Sequence, residues 1–418
     1  MMQLVVQQAD AVHQQINSIT ALLEQFNARR SGLLGEASRR ESDDTECQCE
    51  NVCPPPSSSW SVYSSPTSCS NLPVEVLGLI FNYLDQGDLV RVSRAHKFLN
   101  VIANRVLYQS IVVSSELAQS SQCMTALVKH NHLALLVRSI SIHWPLIHTP
   151  TKNLIDLLKR TLRALPSLTS LFIDVPNEFP QVSLDGCPFA LQSFNTSFRF
   201  DHGLVRFLES QPSITDLSLR GFNSDPSQFS FSANTFNLNP TYTPPALSSS
   251  ALPRLAKVNA IHAGPEIVST VVKGRPVNTV VMPLYADCAI KCLEALTSTS
   301  RPIEKLSIMS FDPNAPNYIL SEISKRFPEL EALAVVLLLA ECSEEALEAA
   351  APSLARFDRL KYITFMSASP MMSSPRKESR IARTWHTYCP TLKTIILPMG
   401  NVLYLDNSTW SILTEFSA

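Results

Sequence analysis

The chain has 418 residues, of which 45% are hydrophobic, enough apolar material for about two or three packed domains. Its 34 basic and 36 acidic residues leave a formal net charge of −2, so no overall basic surface attracts a polyanion and nucleic acid is not expected as a partner. Glycine is scarce, at 10 residues, and the common glycine-containing phosphate-binding and nucleophile motifs are missing. The sequence therefore predicts a non-catalytic protein with no cofactor, no metal and no catalytic residues.

Neither a membrane segment nor a secretory signal is expected. The longest apolar run, Ala332 to Ala340, has about half of the roughly 20 residues that cross a bilayer. The first residues, MMQLVVQQADAVHQQ, lack a basic region followed by an apolar one. We expect an intracellular protein, cytoplasmic or nuclear or both, with reduced cysteines and no membrane partner.

Residues 1–34 carry apolar side chains at alternating spacings of three and four, which is typical of a heptad repeat on a helix. These residues are Met2, Val5, Ala9, Val12, Ile16, Ile19, Leu23 and Phe26. Two interpretations stay open. The amphipathic helix packs on its own protein, or it self-associates as a coiled coil through residues 2–26.

Residues 35–70 change to acidic and then to Ser/Pro-rich composition, which favours a disordered linker. Cys47, Cys49, Cys53 and Cys69 lie within it, and four thiolates can in principle hold a tetrahedral zinc ion. We favour reduced, solvated thiols because paired CxxC spacings are missing.

Residues 71–112 predict three short helices, and the first of them begins near Pro73 in LPVEVLGLIFNYL. The helix is apolar around most of its circumference. One stripe contains Leu77, Ile80, Phe81 and Leu84, and a second contains Val76, Leu79 and Tyr83. A unit of about 40 residues has too few neighbours to bury both stripes, so a partner is expected to cover one of them. Asp88 is the predicted cap of the second helix.

This segment resembles the F-box, whose pattern has a leucine-proline-x-glutamate opening, an apolar helix, an Asp-containing turn and helices that end in Leu-Tyr. The matching residues are Leu72-Pro73-Val74-Glu75, Ile80-Phe81, Leu84, Asp88-Leu89, Val92-Ser93, Phe98, Ala103-Asn104 and Leu107-Tyr108. Ala95 and Phe98 depart from the cysteine and tryptophan that the family often has. The resemblance implies docking on a Skp-type adaptor and, through it, on a cullin scaffold. The implied contact residues are Leu72, Pro73, Val76, Leu77, Ile80, Phe81, Leu84, Leu89 and Val92.

Residues 113–418 repeat the frame apolar-x-x-apolar-x-apolar. It occurs as VRSISI at 137, LTSLFI at 168, LQSFNT at 191, ITDLSL at 214, LAKVNA at 255, VNTVVM at 277, IEKLSI at 303, LEALAV at 330, LKYITF at 360 and LKTIIL at 392. Several copies follow a helical stretch that a proline stops, as in ALPSL and RFPEL. This resembles irregular leucine-rich repeats. A doubly wound α/β domain would also alternate strands and helices, but its glycine-rich first turn is missing.

The fold prediction is therefore α+β: an N-terminal coiled-coil helix, a three-helix F-box, and an α/β leucine-rich-repeat solenoid with a parallel sheet and an inserted loop at about 221–251. Side chains of a strand alternate between faces, so the positions between the frame's apolar residues should form a ligand surface. The candidate substrate-binding residues are His143, Phe172, Asp174, Asn195, Asp216, Arg220, Asn259, Lys305 and Tyr362.

We predict a substrate-recognition adapter of a Skp/cullin/F-box ubiquitin ligase that binds an unknown protein substrate. A non-ligase interaction scaffold with the same solenoid and coiled coil is the alternative. A third hypothesis, an α/β enzyme, requires a deep polar pocket at the carboxyl ends of the strands.

Overall fold

The structure is a computed structural model, and it describes residues 72–113, 117–144, 151–175, 184–220, 243–261, 263–286, 288–312, 317–340, 342–367, 375–406 and 409–412. All of them belong to one compact unit, Cys69–Ala418. The predicted N-terminal helix, the whole predicted linker with its four cysteines, and residues 221–242 of the predicted insert lie outside the described residues. Within the described ranges, no helix has the length and apolar composition needed to span a membrane.

The helices are numbered in chain order. They are α1 (Val74–Phe81), α2 (Gln86–Ala95), α3 (Lys97–Gln109), α4 (Leu117–Lys129), α5 (Asn131–Ala134), α6 (Lys152–Arg163), α7 (His202–Glu209), α8 (Pro265–Val272), α9 (Ala289–Leu296), α10 (Asn317–Arg326), α11 (Glu344–Leu354) and α12 (Pro375–Tyr388). The first three are the helices predicted for residues 71–112. The helical stretches predicted before the ALPSL and RFPEL frames are also present, as α6 and α10.

The strands form one 13-stranded sheet whose order in space is their order in the chain. They are β1 (Ser110–Val113), β2 (Ser139–His143), β3 (Ser170–Asp174), β4 (Ser193–Thr196), β5 (Asp216–Leu219), β6 (Lys257–Ala260), β7 (Thr279–Leu284), β8 (Lys305–Ser310), β9 (Ala332–Leu337), β10 (Tyr362–Ser367), β11 (Thr394–Ile396), β12 (Val402–Asp406) and β13 (Thr409–Ile412). Neighbours from β1 to β11 pair in parallel, and β12 and β13 pair antiparallel.

All ten frames predicted as strands coincide with β2 to β11. The apolar residue that opens each frame is buried, as are those inside the strand, so the apolar positions line the main core on one side of the sheet. The sheet has three strands that the frames did not predict. The first, β1, follows α3 without an intervening residue, and the antiparallel pair β12 and β13 closes the far end.

Helices α1 to α3 enclose a small core of their own. The Asp85 side chain accepts a hydrogen bond from the Asp88 amide at 2.7 Å and caps α2, so the prediction of Asp88 as the cap was off by one turn. Asp88 instead pairs with Arg91. The Arg138 amide, just before β2, donates to the Gln109 carbonyl at the end of α3, which ties the helices to the sheet.

A buried arginine, Arg275, holds the chain segment that follows residue 242 against helix α8. Arg275 is 2% exposed, and burial lowers the pKa of its guanidinium. The guanidinium donates to the backbone oxygens of Ser248, Ala251, Thr270, Val271 and Lys273 at 2.7–3.3 Å. These bonds join residues 248–251 to the end of α8.

Candidate functional site

Helix α1 presents an apolar surface to solvent. Leu79 is 62% exposed, Ile80 is 45% exposed and Tyr83, just past the helix, is 92% exposed. Together with Leu72 and Val76, which are also exposed, they recur at three- and four-residue spacing and so lie along one side of the helix. We call Leu72, Val76, Leu79, Ile80 and Tyr83 the α1 face.

The opposite side of α1 is buried against the other two helices. Leu77 and Phe81 of α1 and Leu89 of α2 are 8%, 5% and 4% exposed, and they pack with Ile102 and Ala103 of α3 in the small core. Large apolar groups remain in water on the α1 face because the small core has no room for a second stripe.

The predicted adaptor contacts divide into three groups in the structure. Leu72, Pro73, Val76 and Ile80 are exposed, and Leu84 and Val92 are half-buried against the small core. Leu77, Phe81 and Leu89 are buried in the small core of this chain, and their role as adaptor contacts stays a prediction. Leu79 and Tyr83, which belong to the exposed stripe, were absent from the predicted contacts. Their spacing from Leu72 and Val76 was the signal that could have included them.

A second candidate surface is the outer face of the sheet, which we define as the face turned away from the main core. Predicted ligand residues from β2 to β6 meet here. The ring centroids of His143 and Phe172 are 4.3 Å apart, and the Arg220 guanidinium carbon lies 5.5 Å from the Phe172 ring centroid. Phe172 is on β3 and Arg220 follows β5, so the arginine side chain reaches across β4.

Beside this cluster, polar residues of β4, β5 and β6 form a row. Asn195 and Ser218 lie side by side in the register of β4 and β5, and Ser218 and Asn259 lie side by side in the register of β5 and β6. We call these three residues the polar row. The Oδ1 atoms of both asparagines and the Oγ of Ser218 are buried, and none has a hydrogen-bond partner in the structure. Sequence analysis missed Ser218, which occupies an ordinary outward position in the DLSL strand.

Two further predicted ligand residues, Asp174 and Asp216, lie on the same face beside these side chains. Asp174 is in register with His143, and Asp216 pairs with Lys257 at 3.3 Å. Lys305 on β8 and Tyr362 on β10 are separated from the polar row by further strands. Around them the outer face is more apolar, because Met309 and Val336 are buried there although neither belongs to the main core.

A cleft of about 400 Å³ lies at one end of strands β9, β10 and β11. It is lined by Glu331, Asp358, Arg359, Lys361, Thr391 and Lys393. Glu331, Lys361 and Lys393 directly precede β9, β10 and β11, so the cleft is at the amino ends of these strands. The enzyme hypothesis placed its pocket at the carboxyl ends. Within the described part of the chain, no three His, Cys, Asp or Glu side chains are grouped as metal ligands.

Comparison with known families supports the interpretation of the three helices. Residues 69–114 match the family model described as F-box-like. The matched range contains α1, α2, α3 and β1, and therefore the whole α1 face. No curated protein matches the chain. The F-box-like segment is thus a small helical unit that exposes an apolar stripe, attached directly to a larger sheet region.

Proposed function

We propose that the protein is the substrate-recognition subunit of a Skp/cullin/F-box ubiquitin ligase. In this proposal, the F-box-like segment docks on a Skp-type adaptor and the sheet region binds a protein substrate. The observation that carries it is the α1 face, which exposes Leu79, Ile80 and Tyr83 within the segment that matches the F-box-like family. If an adaptor buried these side chains, each Å² of apolar area removed from water would favour binding by about 25 cal/mol.

The sheet region, in this proposal, is an irregular leucine-rich-repeat solenoid. Strict sequence order of the strands supports it, because a doubly wound sheet reverses its strand order at a switch point. Successive helices also contact each other, from α8 to α9 and onward to α12. Each repeat would then touch mainly its neighbours, as expected for a stacked array.

The direct connection between the F-box-like segment and the sheet region supports this proposed function. Helix α3 passes directly into β1, and the Gln109 carbonyl is bonded to the Arg138 amide. A short connection of this kind would hold a substrate at a defined place relative to the ligase, where proximity raises the effective concentration of its lysines. Catalysis would belong to the other subunits.

We propose the same division of the chain as the sequence analysis, with residues 1–34 as a helix that packs or self-associates and 35–70 as a linker. The F-box would cover residues 71–112 and the solenoid 113–418, with an inserted loop at about 221–251.

Co-expression with a Skp-type adaptor and a cullin tests the function. We expect a ternary complex with the unaltered chain, and loss of both partners with Leu79→Asp plus Tyr83→Asp. Leu339→Asp is the matched control, since Leu339 is an exposed leucine between β9 and β10. It should keep both partners.

Two other outcomes change the conclusion. Capture of the adaptor without the cullin supports the scaffold alternative. Failure of the unaltered chain to capture the adaptor contradicts both.

A further inference from the structure

Three buried polar atoms of the polar row lack hydrogen-bond partners. Ser218 is 4% exposed, yet its Oγ has no partner, and the same holds for the buried Oδ1 atoms of Asn195 and Asn259. Unpaired buried polar groups destabilise a fold, and most buried polar groups are paired for this reason. Three such groups on adjacent strands, in register, form a row aimed at the outer face.

The side chains of the row suit a peptide main chain. An asparagine amide offers one donor group and one acceptor, and a half-turn about its terminal bond exchanges them. Either orientation can therefore pair with the N–H and C=O of a peptide unit. Adjacent strands are about 4.8 Å apart, so from β3 to β6 the surface spans about 14 Å, the length of roughly four extended residues.

Arg220 adds a positive charge at one end of the row. In the described part of the chain, no carboxylate lies within ion-pair distance of its guanidinium, which rests against Phe172 instead. A guanidinium placed this way can bind a carboxylate with two parallel hydrogen bonds. His143 and Arg220 both contact the Phe172 ring, so this ring is already engaged and does not offer a stacking surface for a base or sugar.

We propose that the polar row and Arg220 bind an extended peptide segment, with its main chain on the row and one carboxylate on Arg220. This inference rests on the proposed function, since the peptide would belong to the substrate protein. It names the class of ligand and the strands, β3 to β6, that hold it. A phosphate polymer is disfavoured because the neighbouring cation on this face, Lys257, is already paired with Asp216, so the row offers Arg220 rather than a basic track.

Two peptide libraries provide the probe. Both contain random heptapeptides with one central position held as Asp, Asn or Lys; one library has free carboxyl termini and the other has amidated termini. The full chain should select Asp-containing peptides or peptides with a free terminus, and the difference between the libraries identifies the source of the carboxylate. Equal recovery of the Asp, Asn and Lys sets in both libraries overturns the proposal.

Variants then connect the selected peptide to the residues. Asn195→Ala plus Asn259→Ala should weaken its binding about tenfold to a hundredfold in fluorescence anisotropy. Arg220→Gln should weaken it about tenfold and have no effect on the same peptide with its carboxylate replaced by an amide. Ser307→Ala is the matched control, because Ser307 faces the same side on β8, and it should bind normally. Unchanged affinity in the double variant contradicts the proposal.

The unfolding temperature separates binding from folding. A row that serves only the fold would lose stability when changed, whereas Ser218→Ala removes an unpaired buried hydroxyl. We expect this variant to unfold at or above the temperature of the unaltered protein and to bind the peptide more weakly. A lower unfolding temperature with unchanged peptide affinity would contradict the inference.

Adaptor capture from the same preparations separates the inference from the proposed function. Row variants should capture the Skp-type adaptor normally, and the Leu79→Asp plus Tyr83→Asp variant should bind the peptide normally. Peptide failure with normal adaptor capture refutes only the inference. Adaptor failure of the unaltered chain refutes the proposed function.

Discussion

The F-box-like segment and the sheet region differ in how completely they bury their apolar side chains. In the sheet region, the frame leucines, isoleucines and valines lie in one continuous core, and the outer face carries polar side chains on β4 to β6. In the F-box-like segment, the small core takes up one stripe of α1 and leaves Leu79, Ile80 and Tyr83 in water. A region that buries its apolar pattern leaves little apolar surface for a partner. A region that leaves part of that pattern exposed has a surface for another protein.

The largest effect should come from the sheet core. Phe194→Ala removes a fully buried ring and should lower the free energy of unfolding by about 4 kcal/mol. Leu79→Ala should change it by less than about 0.5 kcal/mol, since this leucine is already in solvent. Urea denaturation of both variants checks the contrast. A large loss for Leu79→Ala would mean that the α1 face packs within the chain.

Arg275→Ala should lower the free energy of unfolding by about 3 kcal/mol, because several buried carbonyl groups lose their donor. Arg275→Lys should recover only part of this, since an ammonium group cannot reproduce the planar fork. Thermal and urea unfolding measure both variants. A loss under about 1 kcal/mol for Arg275→Ala would show that the contacts are replaced by water.

Cys342 should make the sheet region sensitive to high pH. Burial raises the pKa of its thiol from 9.0 to about 12, so the folded protein holds the proton more tightly than the unfolded chain. This contribution to stability is fully present below pH 9 and is lost as the pH rises toward 12. By about pH 10.5 the loss should be about 2 kcal/mol. Cys342→Ala should show a smaller decline over the same range in denaturant titrations, and an equal decline would contradict the assignment.

The smallest effect should come from the cap of α2. Asp85→Ala removes the acceptor of the Asp88 amide and should lower the stability of the F-box-like segment by about 1 kcal/mol. Asp85→Asn should retain most of that stability. Hydrogen exchange of α2 amides measures the change locally, and unchanged exchange in Asp85→Ala would mean that the cap contributes nothing.

Much of the fold could be predicted because burial in a strand repeats every second residue. All ten strand frames were found for this reason, whatever the loop lengths between them. β12 and β13 were missed because they pair antiparallel and carry no such frame. α8 is short and rich in valine, and α11 contains Pro352, so neither has a strong helical signal.

The sites were harder to predict, because they depend on which side of an element faces its neighbours. Both stripes of α1 are apolar, and only the positions of α2 and α3 decide that Leu77 and Phe81 turn inward. Similarly, the polar row depends on the register between β4, β5 and β6, which are separated by connections of very different length. Residue types alone could not reveal that Ser218 lies between Asn195 and Asn259.

The central claim is that a Skp-type adaptor covers the α1 face, and titration calorimetry at several temperatures tests it most directly. Burial of Leu79, Ile80 and Tyr83 predicts a clearly negative heat-capacity change on binding, which weakens together with affinity in Leu79→Asp plus Tyr83→Asp and is unchanged in Leu339→Asp. Binding with the same affinity and heat-capacity change in the double variant would contradict the claim.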